Sequence, residues 1–150
     1  MSHVVTIDCK ITDLEAFRLA VERCGGKLER AERYRWWGSY VGDYPLPKIE
    51  GMTPGQVKAK LGRCDGYRVQ VPGCGWDVGL WRMADGSYQM MYDFYQGGRG
   101  LERALGGRGL PKLKQAYAIV KAKRALAAKG IQARERQLAD GSVQLVYNVA

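Results

Sequence analysis

Histidine is almost missing from this chain: its 150 residues include one, His3. A Ser-His-Asp triad or a mixed Cys/His metal set would have to rest on that one imidazole, and neither is expected. Long apolar runs are missing as well. None approaches the ~20 residues that a membrane helix needs, and no membrane partner is expected. The opening "MSHVVTIDCK" lacks an apolar stretch after a basic one, so it has no signal-peptide layout and a cytoplasmic location is expected. The four cysteines, Cys9, Cys24, Cys64 and Cys74, include no C-x-x-C pair and match no common zinc spacing. They read as reduced, structural thiols, with neither disulfide, metal nor cofactor expected. Neither G-x-x-x-x-G-K-[ST] nor a dinucleotide fingerprint is present.

Positive charge is abundant, and it is concentrated. The net charge is +9. Residues 1–96 hold 13 Lys/Arg against 12 Asp/Glu, whereas residues 97–136 hold 11 Lys/Arg against two Glu. One 40-residue segment therefore carries the whole excess, which draws anionic partners to it.

A chain of this length is expected to form a single α+β domain spanning 1–150, with a mostly antiparallel sheet and two main helices packed against it. "HVVTIDC" reads as a strand. In "ITDLEAFRLAVERCGG", Leu14, Phe17, Val21 and Cys24 recur at helical spacing, and Thr12 with Glu15 fits a capping box. "KLERAERYRWWGSYVG" reads as one long or bent strand, or a hairpin. Residues 42–66 are an irregular connection with a short helix in "TPGQVKAKLG", capped by Thr53 with Pro54 in its first turn. "YRVQV" is a further strand, with Tyr67, Val69 and Val71 on one face. "PKLKQAYAIVKAKRALAAKG" is the second main helix, opened by Pro111 and closed by Gly130, with Leu113, Tyr117, Val120 and Ala127 as its apolar stripe. Arg124 falls within that stripe and requires a partner or a route to water.

"ADGSYQMMYDF" starts at Ala84 and "ADGSVQLVYNV" at Ala139, and six of the eleven positions are identical. Asp-Gly between alternating apolar runs is a hairpin signal, so two Asp-Gly hairpins are expected. The shared residues are turn and strand chemistry, which favours one turn solution used twice over a duplicated unit.

Two constellations carry a functional reading. "RYRWWGSYVGDY" packs two Arg, two Trp and three Tyr into residues 33–44. Bases stack on such rings while arginines meet phosphates, which suits single-stranded nucleic acid. The competing reading is a sheet strand with Tyr34 and Trp36 facing in and Arg33 and Arg35 facing out. The basic segment is the other constellation. Arg99 and Arg108 each sit in "GGRG", read as glycine-rich loops that let backbone N–H groups approach a phosphate. Its competing reading is a flexible linker and a solvated helix face. Together they nominate Arg35, Trp36, Trp37, Tyr40, Arg99, Arg108, Lys112, Lys114, Lys121 and Lys123 as contacts to single-stranded DNA or RNA. For catalysis only scattered carboxylates are available, of which Asp43 and Asp77 are least explained by turns, together with Cys74 between two glycines. An enzyme is the less favoured reading, and no catalytic set emerges.

"MSHVVTI", "WDVGLW" and "LPKLKQAYAIVKAKRALAAKGIQARERQLADGSVQLV" together make the chain resemble a family known as hypothetical chloroplast reading frame thirty-five, found in cyanobacteria, red-algal plastids and phages. The family pattern is a "KLKQ-Y" helix, a glycine, a strand, a "DGS" turn and a final strand. Here it falls on Lys112 to Gln115, Tyr117, Gly130 and Asp140 to Ser142. The similarity is best from Trp76 to Val149 and poor over residues 33–75. It implies no established activity. Because some members are encoded near AAA+ ATPases, it implies a protein–protein adaptor as an alternative to nucleic-acid binding. A nucleotide-sequestering protein of a phage is a third reading, and assembly into an oligomer is compatible with all three.

Overall fold

The computed structural model describes residues 3–148. Five strands form one antiparallel sheet: β1 (Val4–Ile11), β2 (Lys27–Arg33), β3 (Arg63–Gln70), β4 (Val78–Arg82) and β5 (Tyr88–Asp93). Their spatial order is β1-β5-β4-β3-β2. The helices are α1 (Leu14–Arg23), α2 (Pro54–Lys60), α3 (Gly97–Ala104) and α4 (Pro111–Ala128), and β6 (Arg134–Gln137) with β7 (Val143–Val146) forms a separate two-stranded sheet. The expected α+β class is what the chain adopts. Among the described residues no helix is long and apolar enough to cross a membrane.

The sheet is covered on both faces. On one side α1 and α4 bury Phe17, Val21, Leu113 and Tyr117 against Ile7, Val69, Leu80 and Met90. On the other, α2 and the long connection before it bury Tyr34, Ile49, Val57 and Leu61 against Val4, Trp81 and Met91. The central strands β4 and β5 therefore lose the apolar-polar alternation of a half-buried strand: Val78, Gly79, Leu80 and Trp81 are all buried in succession.

Local chemistry accounts for several boundaries. Thr53 and Gln56 form the reciprocal capping box that starts α2, with Pro54 in the first turn. At α1 the cap is Asp13 and not Thr12: the Asp13 carboxylate accepts from the Ala16 N–H at 2.9 Å. Thr12 is diverted, because its hydroxyl takes Lys121 Nζ at 2.5 Å while Tyr117 Oη accepts the N–H groups of Thr12 (2.8 Å) and Asp13 (3.1 Å). α4 starts at Pro111 and is followed by Gly130 at φ 75, as expected.

Both Asp-Gly pairs sit at hairpin tips, in the same geometry. Gly86 N–H donates to the Met83 carbonyl, and Met83 N–H to the Ser87 carbonyl; Gly141, Leu138 and Ser142 repeat these bonds. In each, one aspartate oxygen accepts both the N–H and the hydroxyl of the serine two residues on. Each glycine lies at positive φ, 85 and 87, the position at which a side chain would clash with its own backbone. The repeated eleven residues are thus one turn used twice, and their settings differ: the first hairpin is the centre of the main sheet, the second stands outside it. Charged Arg134, Glu135 and Arg136 leave β6 no apolar face to bury.

Besides the α1 cap, three expectations are corrected. The run after Lys27 is a strand only to Arg33, and the aromatic residues beyond it leave the sheet. "QGGRGLERA" is helix α3 and not a loop. Its glycines allow close approach: a Cβ on Gly97 would sit 2.7 Å from the Trp76 ring, and one on Gly98 1.9 Å from the Asp93 carbonyl oxygen. The buried stripe of α4 is Leu113, Ala116, Tyr117 and Ile119, with Val120 partly buried and Ala127 exposed, because the last turns of the helix extend past the sheet.

That overhang explains Arg124, which is 45% exposed with Nε 3.1 Å from Asp13 Oδ2. The partner is a carboxylate, but a solvated one. Arg124→Ala should therefore lower stability by no more than about 1 kcal/mol in chemical denaturation, the range of exposed ion pairs.

The second hairpin is tied to the helices through Glu135, which binds Arg23 and, at 3.2 Å, Lys123. The Arg23 guanidinium, reinforced by Lys123, holds the Glu135 carboxyl down at about 2, against a usual 4.5. A depressed carboxyl contributes stability that is complete above its unfolded pKa and is lost as pH falls. Amide protection factors in β6 and β7, corrected for the intrinsic pH dependence of exchange, should therefore fall as pH drops from 4.5 toward 2, ahead of those in β4 and β5.

Candidate nucleic-acid interface

Two fully buried carboxylates decide where the aromatic run goes. Asp93 ends β5. Its Oδ1 accepts the N–H groups of His3 (3.0 Å) and Tyr95 (2.9 Å), and its Oδ2 accepts that of Trp37 (3.0 Å). Asp77 precedes β4 and grips Arg35 in both directions. Its Oδ2 accepts the Arg35 N–H at 2.8 Å, its Oδ1 accepts Nη2 at 2.8 Å, and its own N–H donates to the Arg35 carbonyl. These bonds replace the strand-to-strand ladder beyond Arg33, and for that reason the chain stops being a strand there.

Residues 35–40 are accordingly divided. Arg35 is committed to Asp77, and its pKa is raised by that hydrogen bond. Trp36 packs into the second core, its indole lying over Gly62. Tyr40 donates its hydroxyl to the Tyr44 carbonyl at 2.8 Å. Trp37 is the aromatic ring left to solvent, 40% exposed and anchored through its backbone N–H.

From Trp37 a continuous line of contacts leads to the basic segment. The Trp37 ring meets Tyr95 edge-on at 5.7 Å, Tyr95 meets His3 at 5.3 Å, and His3 meets Phe94 at 4.8 Å. Over Phe94 lies the Arg108 guanidinium, 3.8 Å from the ring centre. This is cation–π stacking, and it leaves Arg108 exposed on its outer side. Arg108 Nε bonds Glu102, whose carboxylate also accepts the Tyr92 hydroxyl at 2.8 Å. Burial pushes the Tyr92 phenol well above its usual range, so it remains a donor to that carboxylate.

Beside Arg108 is a shallow depression of about 560 Å³, lined by Arg99, Glu102, Arg103, Gly106, Gly107 and Arg108. Arg99 and Arg103 are one turn apart on α3, both exposed, and neither forms an ion pair among the described residues. The Lys112 backbone borders the same loop, with its Cβ 3.0 Å from where a Cβ on Gly106 would lie, but its side chain lines a separate depression with Cys24, Gln115 and Glu135, and its charge acts on the Cys24 thiol.

The other lysines of α4 lie elsewhere. Lys121 bonds Thr12, and Lys114 and Lys121 both act on the Cys9 thiol, whose pKa burial raises and they lower. Lys123 is engaged by Glu135. The structure therefore joins Trp37, Arg99 and Arg108 into one surface and separates Arg35, Trp36, Tyr40, Lys112, Lys114, Lys121 and Lys123 from it. It adds Arg103, Phe94, Tyr95 and His3. The signal for Phe94 and Tyr95 was their place just after Asp93, where the strand ends. The four cysteines are free thiols, and no cluster of three or more metal-ligating side chains forms among the described residues.

Comparison with family models, with curated proteins and with solved structures finds no match. The surface itself carries the functional argument.

Asp93→Asn tests how the surface is held. An amide keeps one acceptor oxygen and turns an NH2 toward one of the three donors. Leaving a buried N–H unpaired and losing charge-assisted bonds should cost about 2–4 kcal/mol in denaturation. The fluorescence difference between Asp93→Asn and the same variant carrying Trp37→Phe, which isolates one of the four tryptophans, should report release of the segment.

Proposed function

We propose that this chain binds single-stranded nucleic acid, with bases on the Trp37–Tyr95 rings and phosphates on Arg99, Arg103 and Arg108. The observation that carries the reading is the unbroken line from an exposed tryptophan to three exposed arginines, two of them without a carboxylate. Aromatic platforms interleaved with cations match the chemistry of an unpaired strand, whose bases expose flat faces and whose backbone repeats a negative charge. The local excess of positive charge over residues 97–136 supports the same reading by steering a polyanion to this side.

Fluorescence anisotropy with oligothymidylate at low salt tests it. Arg99→Glu with Arg103→Glu should weaken binding at least about tenfold. It should also flatten log K against log salt by roughly 1.4, about 0.7 for each phosphate contact on a single strand. Trp37→Ala should weaken binding by about 1–3 kcal/mol with the salt slope unchanged, as a stacking contact does. Absence of binding by the unaltered chain, or full affinity in the double variant, rejects the reading.

A further inference from the structure

The chain's one histidine lies within the proposed surface. His3 Nε2 is 2.8 Å from Asp43 Oδ2, with the two side chains only 19% and 24% exposed. Its ring is packed among Tyr44 (5.2 Å), Phe94 (4.8 Å) and Tyr95 (5.3 Å). Its backbone N–H is held by Asp93, which also holds Trp37 and Tyr95 in place. Beyond Phe94 lies the Arg108 guanidinium. The charged and titratable groups that face His3 are therefore Asp43 and Tyr44 from the connecting segment, Asp93 at the end of β5, Tyr95 just after it, and Arg108 across the Phe94 ring.

We infer that His3 and Asp43 form a proton-sensitive gate on this surface, which strengthens its hold on a polyanion as pH falls. The inference rests on the single-strand reading of the same face. With a neutral imidazole the pair contributes one negative charge among the stacking rings. With an imidazolium it contributes none, and the ion pair draws the two segments together. Histidine is the side chain whose ordinary chemistry changes charge between about pH 5 and about 8. Removing one negative charge at roughly 8 Å from a phosphate, in a medium between water and protein, changes affinity about two- to fivefold. The sign is fixed: binding is tighter on the acid side.

The experiment is an anisotropy titration with oligothymidylate lacking terminal phosphates, at about pH 5.5 and about pH 8, on the unaltered chain, His3→Gln and Asp43→Asn. Thymine and phosphodiesters keep their charge over that window. Titration of any amino group ahead of His3 is common to all three proteins and cancels. The unaltered chain should bind about two to five times tighter at the lower pH, and His3→Gln should show no such gain. Asp43→Asn should already bind tighter at the higher pH, because it removes the same negative charge. Equal affinity at both pH values, or an undiminished gain in His3→Gln, overturns the gate and leaves the single-strand reading standing. No binding at either pH overturns both. A second measurement is independent of variant folding. By linkage, saturating oligonucleotide should raise the midpoint of the His3 imidazole titration followed by NMR in the unaltered chain. An unmoved midpoint overturns the gate.

Discussion

The Asp93 carboxylate, fully buried at the end of β5, accepts three backbone N–H groups from three separate parts of the chain. His3 brings in the start of β1, Trp37 the segment leaving β2, and Tyr95 the approach to α3. A buried charge is tolerated when such bonds replace its lost hydration, and each charge-assisted bond to a backbone donor contributes about 1.5–3 kcal/mol. The same residue's carbonyl oxygen faces Gly98, so the helix that carries Arg99 and Arg103 starts against it as well. Most of the proposed surface is thus hung from one residue.

Asp77 supplies the second constraint. Its pairing with Arg35 turns the most obvious cation of the aromatic run into a structural tie. Breaking either partner would leave the other buried or half-buried without compensation. The tie also fixes the chain beyond it: with the Arg35 backbone bonded to Asp77 and Trp36 packed inward, the Trp37 ring is delivered outward. The exposed ring is a consequence of two carboxylates that lie 16 residues apart in sequence and meet at the open end of the central hairpin.

The charge distribution acquires a clearer meaning in three dimensions. The 11 cations of residues 97–136 are one block in sequence, but α4 and the second hairpin spread them over several sides. Arg124 and Lys123 are spent on Asp13 and Glu135, and Lys121 lies on Thr12. Arg99 and Arg103 retain unneutralised charge next to an aromatic line, and Arg108 offers its outer face there. Wherever free cations and exposed rings coincide, an unpaired strand finds both of its recognition elements; wherever they do not, the cations contribute only a diffuse field.

The features legible in sequence are those whose partners lie within a few residues. The Asp-Gly-Ser turns close through bonds spanning two to four positions, the α2 capping box spans three, and α4 is bounded by Pro111 and Gly130. Patterning of apolar residues likewise determined the α+β class, since each amphipathic element must bury one side. Tertiary structure alone decided the rest. Asp93 reaches donors up to 90 positions away, and Asp77 reaches Arg35 across 42. Whether "QGGRG" is a loop or a helix depended on the Trp76 ring and the Asp93 carbonyl packed against its glycines. Whether a given arginine is free depended on which carboxylate the fold set beside it. A side chain's local pattern specifies its secondary structure. Its availability to a ligand is settled by distant groups that meet it only when the chain has folded.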